Sequence, residues 1–342
     1  MRKLRILALM DKDLVPPDSI EGLTDEEIEP WKMEYDVTAA LHNLGHEVHS
    51  LGVKDELGII RRTIDELKPH IIFNLLEEFA GEAIYDQNVV SYLELRRIAY
   101  TGCNPRGMML ARDKALSKQI LSYHRIRVPE FTVFPRGRAI RRPNRMQFPL
   151  IVKSLIEEAS MGISQASIVD DDDKLKERVT FVHERIGTDA IAEQYIEGRE
   201  LYVGVLGNYR LQLFPIWEMM FTKMPQDVPR IATAKVKWDM KYQKKMGIKT
   251  QAAKDLSPEI NNHINKLCKR IYRYLGLSGY ARMDFRLTED GKLYVLEANP
   301  NPQLAYGEDF AESAEAAGIS YEELIQRIVS LGLRRGHESL NQ

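Results

Sequence analysis

The residues best suited to chemistry lie in Tyr280-Ala-Arg-Met-Asp-Phe-Arg-Leu, then Thr-Glu-Asp-Gly, then Lys-Leu-Tyr-Val-Leu-Glu-Ala-Asn299. Asp290-Gly291 between two β-like runs is a strong hairpin signal. With a two-residue loop Glu289 faces Lys292, and counting back sets Phe285 opposite Leu296, Asp284 opposite Glu297, Met283 opposite Ala298 and Arg282 opposite Asn299. Side chains alternate along a strand, and opposed residues share a face. One face is then Met283, Phe285, Leu287, Tyr294, Leu296 and Ala298, which belongs in a core. The other carries Arg282, Asp284, Glu297 and Asn299. Two opposed carboxylates repel unless something positive sits between them. A divalent cation answers that repulsion. Carboxylate and amide oxygens are hard donors that suit magnesium, with manganese as the alternative ion. Arg282 beside such an ion could hold a developing negative charge. A solvated polar face would explain one acidic pair. It does not explain an Arg and an Asn on the same face, with the strand running into Asn299-Pro-Asn-Pro302.

The elements that must position these residues come from a chain of 342 residues, longer than one ordinary domain. The net charge of −2 offers no basic field for nucleic acid. Cys103 and Cys268 lack metal-ligand spacing and exclude a disulfide scaffold, in keeping with a reducing cytoplasm. The apolar run 4–10 is too short for a signal peptide or a membrane span and reads as a buried first strand; no later run reaches about 20 residues.

Residues 1–104 alternate strand (4–10, 47–53, 70–75, 98–102) and helix (31–44, 56–67, 83–95), the pattern of a parallel sheet with crossover helices. The acidic, proline-containing connection 11–30 is a mobile loop or part of a site. Asn104-Pro105 marks a boundary. A small unit, 105–187, follows, with a helix at 112–124, strands at 150–154 and 164–169, and a helix ending near 186. The acidic run 170–173 is read as a turn capping that helix rather than a metal site. Residues 188–335 carry strands at 190–195, 201–206 and 211–217, a lysine-rich loop at 231–255, a helix at 258–275, the hairpin, and a final helix at 321–333. The fold class expected is α/β, mixed overall.

The segment Tyr294-Val-Leu-Glu-Ala-Asn-Pro resembles the metal-binding strand of the ATP-grasp superfamily, and nearly the whole chain is similar to its D-alanine–D-alanine ligase branch. The resemblance implies a Rossmann-like N-terminal lobe, then a small lid lobe and a larger mixed lobe that sandwich ATP. It implies two magnesium ions on Asp284, Glu297 and Asn299, with Arg282 steadying an acyl-phosphate and a tetrahedral intermediate. Lys114 and Lys153 match lysines that touch the ATP phosphates. Residues 157–164 match a small-residue loop over the phosphates, to which Ser160, Met161 and Gly162 belong; it has a single glycine. In Ala192-Glu-Gln-Tyr-Ile-Glu-Gly-Arg-Glu200, Glu193 would accept from the adenine amino group and the backbone of Gln194 and Ile196 would meet the purine edge. Tyr195 and Leu296 join the nucleotide set, and Glu200 would bind the ribose. Lys241 and Tyr242 would sit on a lid closing over ATP, with the lysine reaching the γ-phosphate.

Several departures bear on substrate. The family's glycine-rich N-terminal loop, which binds the first amino acid's ammonium group, gives way to residues 11–30 with Asp25, Glu26 and Glu27. Glu77 and Glu78 stand where the family has a His-Gly pair, and Glu158 and Ala159 replace a glycine and a serine. Asn301-Pro-Gln-Leu304 replaces a serine and a glycine after the metal strand. ATP chemistry is retained while substrate recognition is rebuilt. The expected activity is carboxylate–amine ligation on amino-acid-like substrates other than two D-alanines, with Glu77, Glu78 and Glu158 suited to a cationic one. The rivals are a phosphotransferase and a non-catalytic nucleotide-binding regulator. No nucleophilic cysteine motif or Gly-x-Ser-x-Gly elbow is present. A homodimer is what the resemblance implies, and nothing in charge or hydropathy supports a nucleic-acid or membrane partner.

Overall fold

The computed structural model describes residues 3–17, 19–156, 163–225, 228–233, 235–236 and 239–340. Strand β1 (Arg5–Asp11) is flanked on both sides in a parallel sheet by β2 (Glu47–Val53) and β3 (Ile71–Asn74), and Tyr100 adds a parallel bridge beside Ile72. Its residues from Ile6 to Asp11 are all buried, which is why the sequence shows a continuous apolar run rather than alternation. Helices Lys32–Asn43, Leu57–Leu67 and Asp86–Leu95 fall where the periodicity predicts.

One face of this sheet is covered from the far end of the chain. Leu324, Ile325, Ile328 and Val329 of helix Tyr321–Leu340 share a core with Leu4, Ile6, Ala8, Met10 and Phe73. Gly332 allows the approach, since a Cβ there would lie 2.4 Å from the Tyr100 carbonyl oxygen. Arg335 then donates to the carbonyls of Tyr100 and Gly102. Hydrophobic period alone could not say which sheet this helix would join.

A four-stranded antiparallel sheet follows, ordered β4 (Phe131–Phe134), β7 (Ala190–Gln194), β5 (Leu150–Ser154), β6 (Ile168–Val169). Leu175 and Val179 of helix Asp172–Phe181 fill its core with Leu150, Val152, Val169 and Ala192. The acidic run caps that helix as expected, with the Asp171 side chain accepting from the Lys174 amide. The helix expected at 112–124 is Lys114–Tyr123, and a further helix, Pro105–Arg112, stands directly before it. Asp113 breaks them because its carboxylate caps the amides of Ala115 and Leu116.

The third sheet runs β11 (Ile248–Ala252), β10 (Trp217–Phe221), β8 (Arg199–Leu206), β12 (Tyr280–Leu287), β13 (Leu293–Pro300), with β9 (Gln212–Leu213) beside β8. The strand expected at 211–217 is therefore two pieces. The expected loop 231–255 contains helix Met240–Met246 and β11. Both are half-exposed; Tyr242, Met246 and Ile248 are their contacts with the cluster of Trp217, Met219 and Phe221. So few buried positions leave little periodic signal.

Candidate active site

The β12–β13 register depends on two one-residue departures that cancel. The turn is a three-residue loop: the Thr288 amide donates to the Lys292 carbonyl at 2.9 Å, and Gly291 takes a positive φ of 76°. Phe285 therefore pairs with Val295 rather than Leu296, and Leu287 with Leu293. A bulge after Asp284 then restores the expected pairs Asp284–Glu297, Met283–Ala298 and Arg282–Asn299. Val295 enters the core in place of Leu296, which is only half-buried at the bulge. The Leu296 carbonyl accepts from the Lys118 ammonium at 2.6 Å.

Beyond the bulge the polar face is tightly interlocked. Arg282 grips Asp284 with two hydrogen bonds, Nε to Oδ1 at 2.8 Å and Nη2 to Oδ2 at 2.9 Å. Asn299 Nδ2 donates to Asp284 Oδ2 at 3.0 Å and lies 3.4 Å from Glu297 Oε1. The guanidinium lies over the Tyr202 ring, 4.8 Å from its centroid, and 4.0 Å from Asp309. Burial opposes its charge, but Asp284 and Asp309 outweigh burial and hold it firmly protonated. The donor set is all oxygen once the Asn299 amide turns to present Oδ1, and Arg282 and Asn299 already place positive density on carboxylates that oppose each other. These residues fit a hard divalent cation.

Arg286, which sequence reasoning passed over, continues the same face. It donates to Glu200 Oε2 at 2.5 Å and to the carbonyls of Gly198 and Arg230 at 2.8 and 2.6 Å. Glu200 also accepts from the Tyr202 hydroxyl at 2.8 Å. Arg282, Asp284 and Arg286 alternate as three charged residues on a buried strand, and that spacing was the available signal.

In the second sheet, β5 and β7 pair Ile151 with Glu193, which sets Lys153 and Glu193 on one face. Glu193 is 1% exposed and meets two ammonium groups, Lys118 at 3.0 Å and Lys153 at 3.1 Å. Burial pushes the Glu193 pKa up, and the two lysines more than reverse it, so the carboxyl is held below its ordinary value. Burial likewise opposes the charge on Lys153, while Glu193, Glu297 and Glu200 together hold its pKa above the ordinary value. Lys153 thus feels the charge of Glu297 on β13 from the second sheet. Lys118 was missed in the sequence, although it stands one helical turn beyond Lys114 and both are buried.

Lys114 is the first residue of its helix, and its amide donates to the Leu155 carbonyl. The amides of Gln194 and Tyr195 bind the carbonyls of Glu130 and Pro149, so the Gln194 N–H is committed to the sheet. Ile196 is buried. Tyr242 packs into the cluster around Trp217, whereas Lys241 is exposed and lies 3.7 Å from Glu26 of the N-terminal segment. Glu78 is 3.9 Å from Lys54, and Glu77 is exposed. Asn301 Oδ1 accepts from the Cys103 amide at 2.7 Å, which ties it to the joint between the first sheet and β12. Glu158, Ser160, Met161 and Gly162 lie outside the described residues. Cys103 and Cys268 are free and buried, with thiol pKa values raised by burial, to about 11 for Cys103. No described helix is long and apolar enough to cross a membrane.

Comparison with known proteins agrees with this architecture. The family profile described as D-ala D-ala ligase C-terminus matches residues 120–330 of the 342. The chain is 29% identical over 322 residues to the uncharacterized protein y4sG of Sinorhizobium fredii, with 90% of each chain covered. It is 30% identical over 305 residues to a D-alanine–D-alanine ligase of Desulforudis audaxviator, covering 87% of this chain and 92% of that one. Among solved structures, the D-alanine–D-alanine ligase from Bacillus anthracis complexed with ATP superposes with a TM-score of 0.75 at 23% identity, covering 98% of this chain and 99% of that one. With its three sheets, the charged face of its hairpin and the buried lysine–glutamate cluster opposite, this chain belongs to the D-alanine–D-alanine ligase family of ATP-grasp proteins.

Proposed function

We propose that the protein is an ATP-dependent ligase that joins a carboxylate to an amine through an acyl-phosphate. The observation that carries this reading is the meeting of two charged sets. One is Arg282, Asp284, Glu297 and Asn299 on the hairpin; the other is Lys118, Lys153 and Glu193 on the smaller lobe, with Glu200 joined to both through Lys153 and Arg286. On this reading residues 1–104 hold the carboxylate substrate, 105–187 cover the nucleotide, and 188–335 carry the metal site.

Glu193 would accept from the adenine amino group, and Glu200 would meet the ribose. Lys114 and Lys153 would hold phosphate oxygens, and Lys241 would reach the γ-phosphate when its segment closes. Asp284, Glu297 and Asn299 would hold two magnesium ions, which when bound neutralise phosphate charge during transfer. A substrate carboxylate oxygen attacks the γ-phosphorus and the bond to ADP breaks; an amine nitrogen then attacks the acyl carbon, gives up a proton, and phosphate leaves as the amide forms. Arg282 would stabilise the oxyanion of that second step. The acidic replacements at Glu77 and Glu78 favour amino-acid-like substrates other than two D-alanines.

The test is phosphate release from Mg-ATP against a panel of amino acids, dipeptides and amines, D-alanine included, with mass spectrometry of each active mixture. Phosphate together with a product one water lighter than its summed substrates supports ligation. A stable phosphorylated product would replace this reading with a phosphotransferase. Tight ATP binding with no stimulated turnover would favour a regulator.

A further inference from the structure

At the C-terminal edge of the first sheet, three carboxylates meet Lys54, and Glu34 and Glu77 bring two more acids into the same field. Lys54, at the end of β2, lies 3.3 Å from Asp11, 2.8 Å from Asp13 and 3.9 Å from Glu78. Glu34, on helix Lys32–Asn43, is 1% exposed, and its Oε1 has no hydrogen-bond partner among the described residues. The charged groups that act on it are Glu77 and Asp11, both acidic. Burial, and then those two neighbours, push its pKa up to about 8, although its own backbone amide pulls the other way. Glu77 also acts on Tyr280, which stands two residues before Arg282 on β12, so this cluster adjoins the proposed reaction centre.

A buried carboxyl with an unbonded oxygen, facing two more acids, is costly unless something positive completes it. No three of the described acidic, histidine or cysteine side chains converge tightly enough to hold a metal ion. An organic cation remains. An ammonium group supplies three N–H donors that point apart, which suits carboxylates that do not converge on a point.

We propose that Asp11, Glu34, Glu77 and Glu78 bind a side-chain ammonium of a diamino substrate, and that Glu34 gives up its proton when the ammonium arrives. This deepens the ligase reading and rests on it, because it assigns a charge to the substrate of the same site. The acidic replacements at Glu77 and Glu78 point to the same kind of ligand.

The test is isothermal titration of the Mg-ADP-loaded protein at pH 7 with D- and L-lysine and with D- and L-norleucine, each in two buffers of different ionisation enthalpy. Lysine should bind at least tenfold more tightly than norleucine of the same hand and release close to one proton. Glu34→Gln should abolish the proton release, and Glu77→Gln should narrow the preference. Equal binding of lysine and norleucine, no binding of either at millimolar concentration, or lysine binding without proton release would each overturn the inference. The wild-type protein alone supplies these outcomes should Glu34→Gln fold poorly. Parallel phosphate-release assays separate the two readings. Norleucine-stimulated release without a lysine preference keeps the ligase and rejects the ammonium site. Proton-releasing lysine binding without turnover from any amine in the panel keeps the site and rejects the ligase.

Discussion

Arg282 and Asp284, two residues apart on β12, are locked together by a pair of parallel hydrogen bonds of 2.8 and 2.9 Å. The residue suited to steady a developing oxyanion thus holds a residue suited to a metal. The Asp284 carboxylate has lone-pair sites beyond the two that Arg282 uses, and a cation could take one. A cation on Asp284 would weaken the grip and free the guanidinium to turn toward substrate.

Arg282→Ala should therefore lower kcat by roughly 10²–10³, the range for loss of an oxyanion donor, while leaving Mg-ATP binding close to wild type. Asp284→Asn should lower kcat as much and also raise the magnesium concentration needed for half-maximal phosphate release. Titrations of ATP and magnesium check both. Equal loss of ATP affinity in Arg282→Ala would show that the arginine acts on the ground state.

Lys118→Met removes one of two cations from a carboxylate that is 1% exposed. Breaking a buried pair from one side costs about 3–5 kcal/mol. The Glu193 pKa lies below its ordinary value of 4.5 in the folded chain, so its share of stability is present above that value and is lost as pH falls through the folded pKa. Denaturant melts should show a lower midpoint for Lys118→Met at pH 7 and a shallower fall in stability between pH 5 and pH 3 than wild type, with weaker ATP binding.

Glu34 has the opposite sign. Its pKa is raised from 4.5 to about 8 on folding, so the folded chain binds the proton more tightly. The protein should lose stability as pH climbs between those values, by roughly 3–5 kcal/mol at most. Glu34→Gln cannot ionise and should lose less. Thermal melts at pH 5.5 and 8.5 measure the difference, and parallel pH dependence in the two proteins would contradict it.

Arg286→Met removes the donor that ties Glu200 to the carbonyls of Gly198 and Arg230. It leaves Glu200, 6% exposed, with the Tyr202 hydroxyl but without its buried cation. Stability should fall by about 3–5 kcal/mol, and ATP affinity should fall further than a wild-type protein of equal stability would show. Restoring charge with Arg286→Lys should recover only part of this, because a single ammonium cannot span three acceptors in the planar geometry of a guanidinium.

Gly279 sits at the joint between the first sheet and β12, with φ at 75° and a would-be Cβ 2.5 Å from the Gly102 carbonyl oxygen. Gly279→Ala meets both a left-handed backbone and a neighbouring peptide that cannot yield. It should cost more than about 2 kcal/mol, seen as a lower unfolding midpoint.

Much of this was legible in order. Strand period placed Arg282, Asp284, Glu297 and Asn299 on one face because alternation is local and needs no knowledge of neighbours. The continuous apolar run of β1 announced a strand buried on both sides. The opposition of Asp284 to Glu297 was also right, but a longer turn and a bulge offset each other to make it so. Turn length and bulges depend on the sheet around a hairpin, which is why Leu296 was expected in the core and instead lies at the bulge.

What the sequence determined by itself was therefore the identity and face of the charged residues, since these follow from bond geometry along one strand. What only tertiary structure decided was which of them meet. Lys118 joins Glu193 across a helix–sheet contact, Arg286 ties strand β12 to two loops, and the last helix completes the first sheet. Glu34 looks in sequence like an ordinary helix-surface acid, and its buried, unbonded oxygen in the field of Asp11 and Glu77 arises only in the folded chain. Each depends on contacts between residues far apart in the chain, and hydrophobic period carries no information about which distant partner will supply the charge.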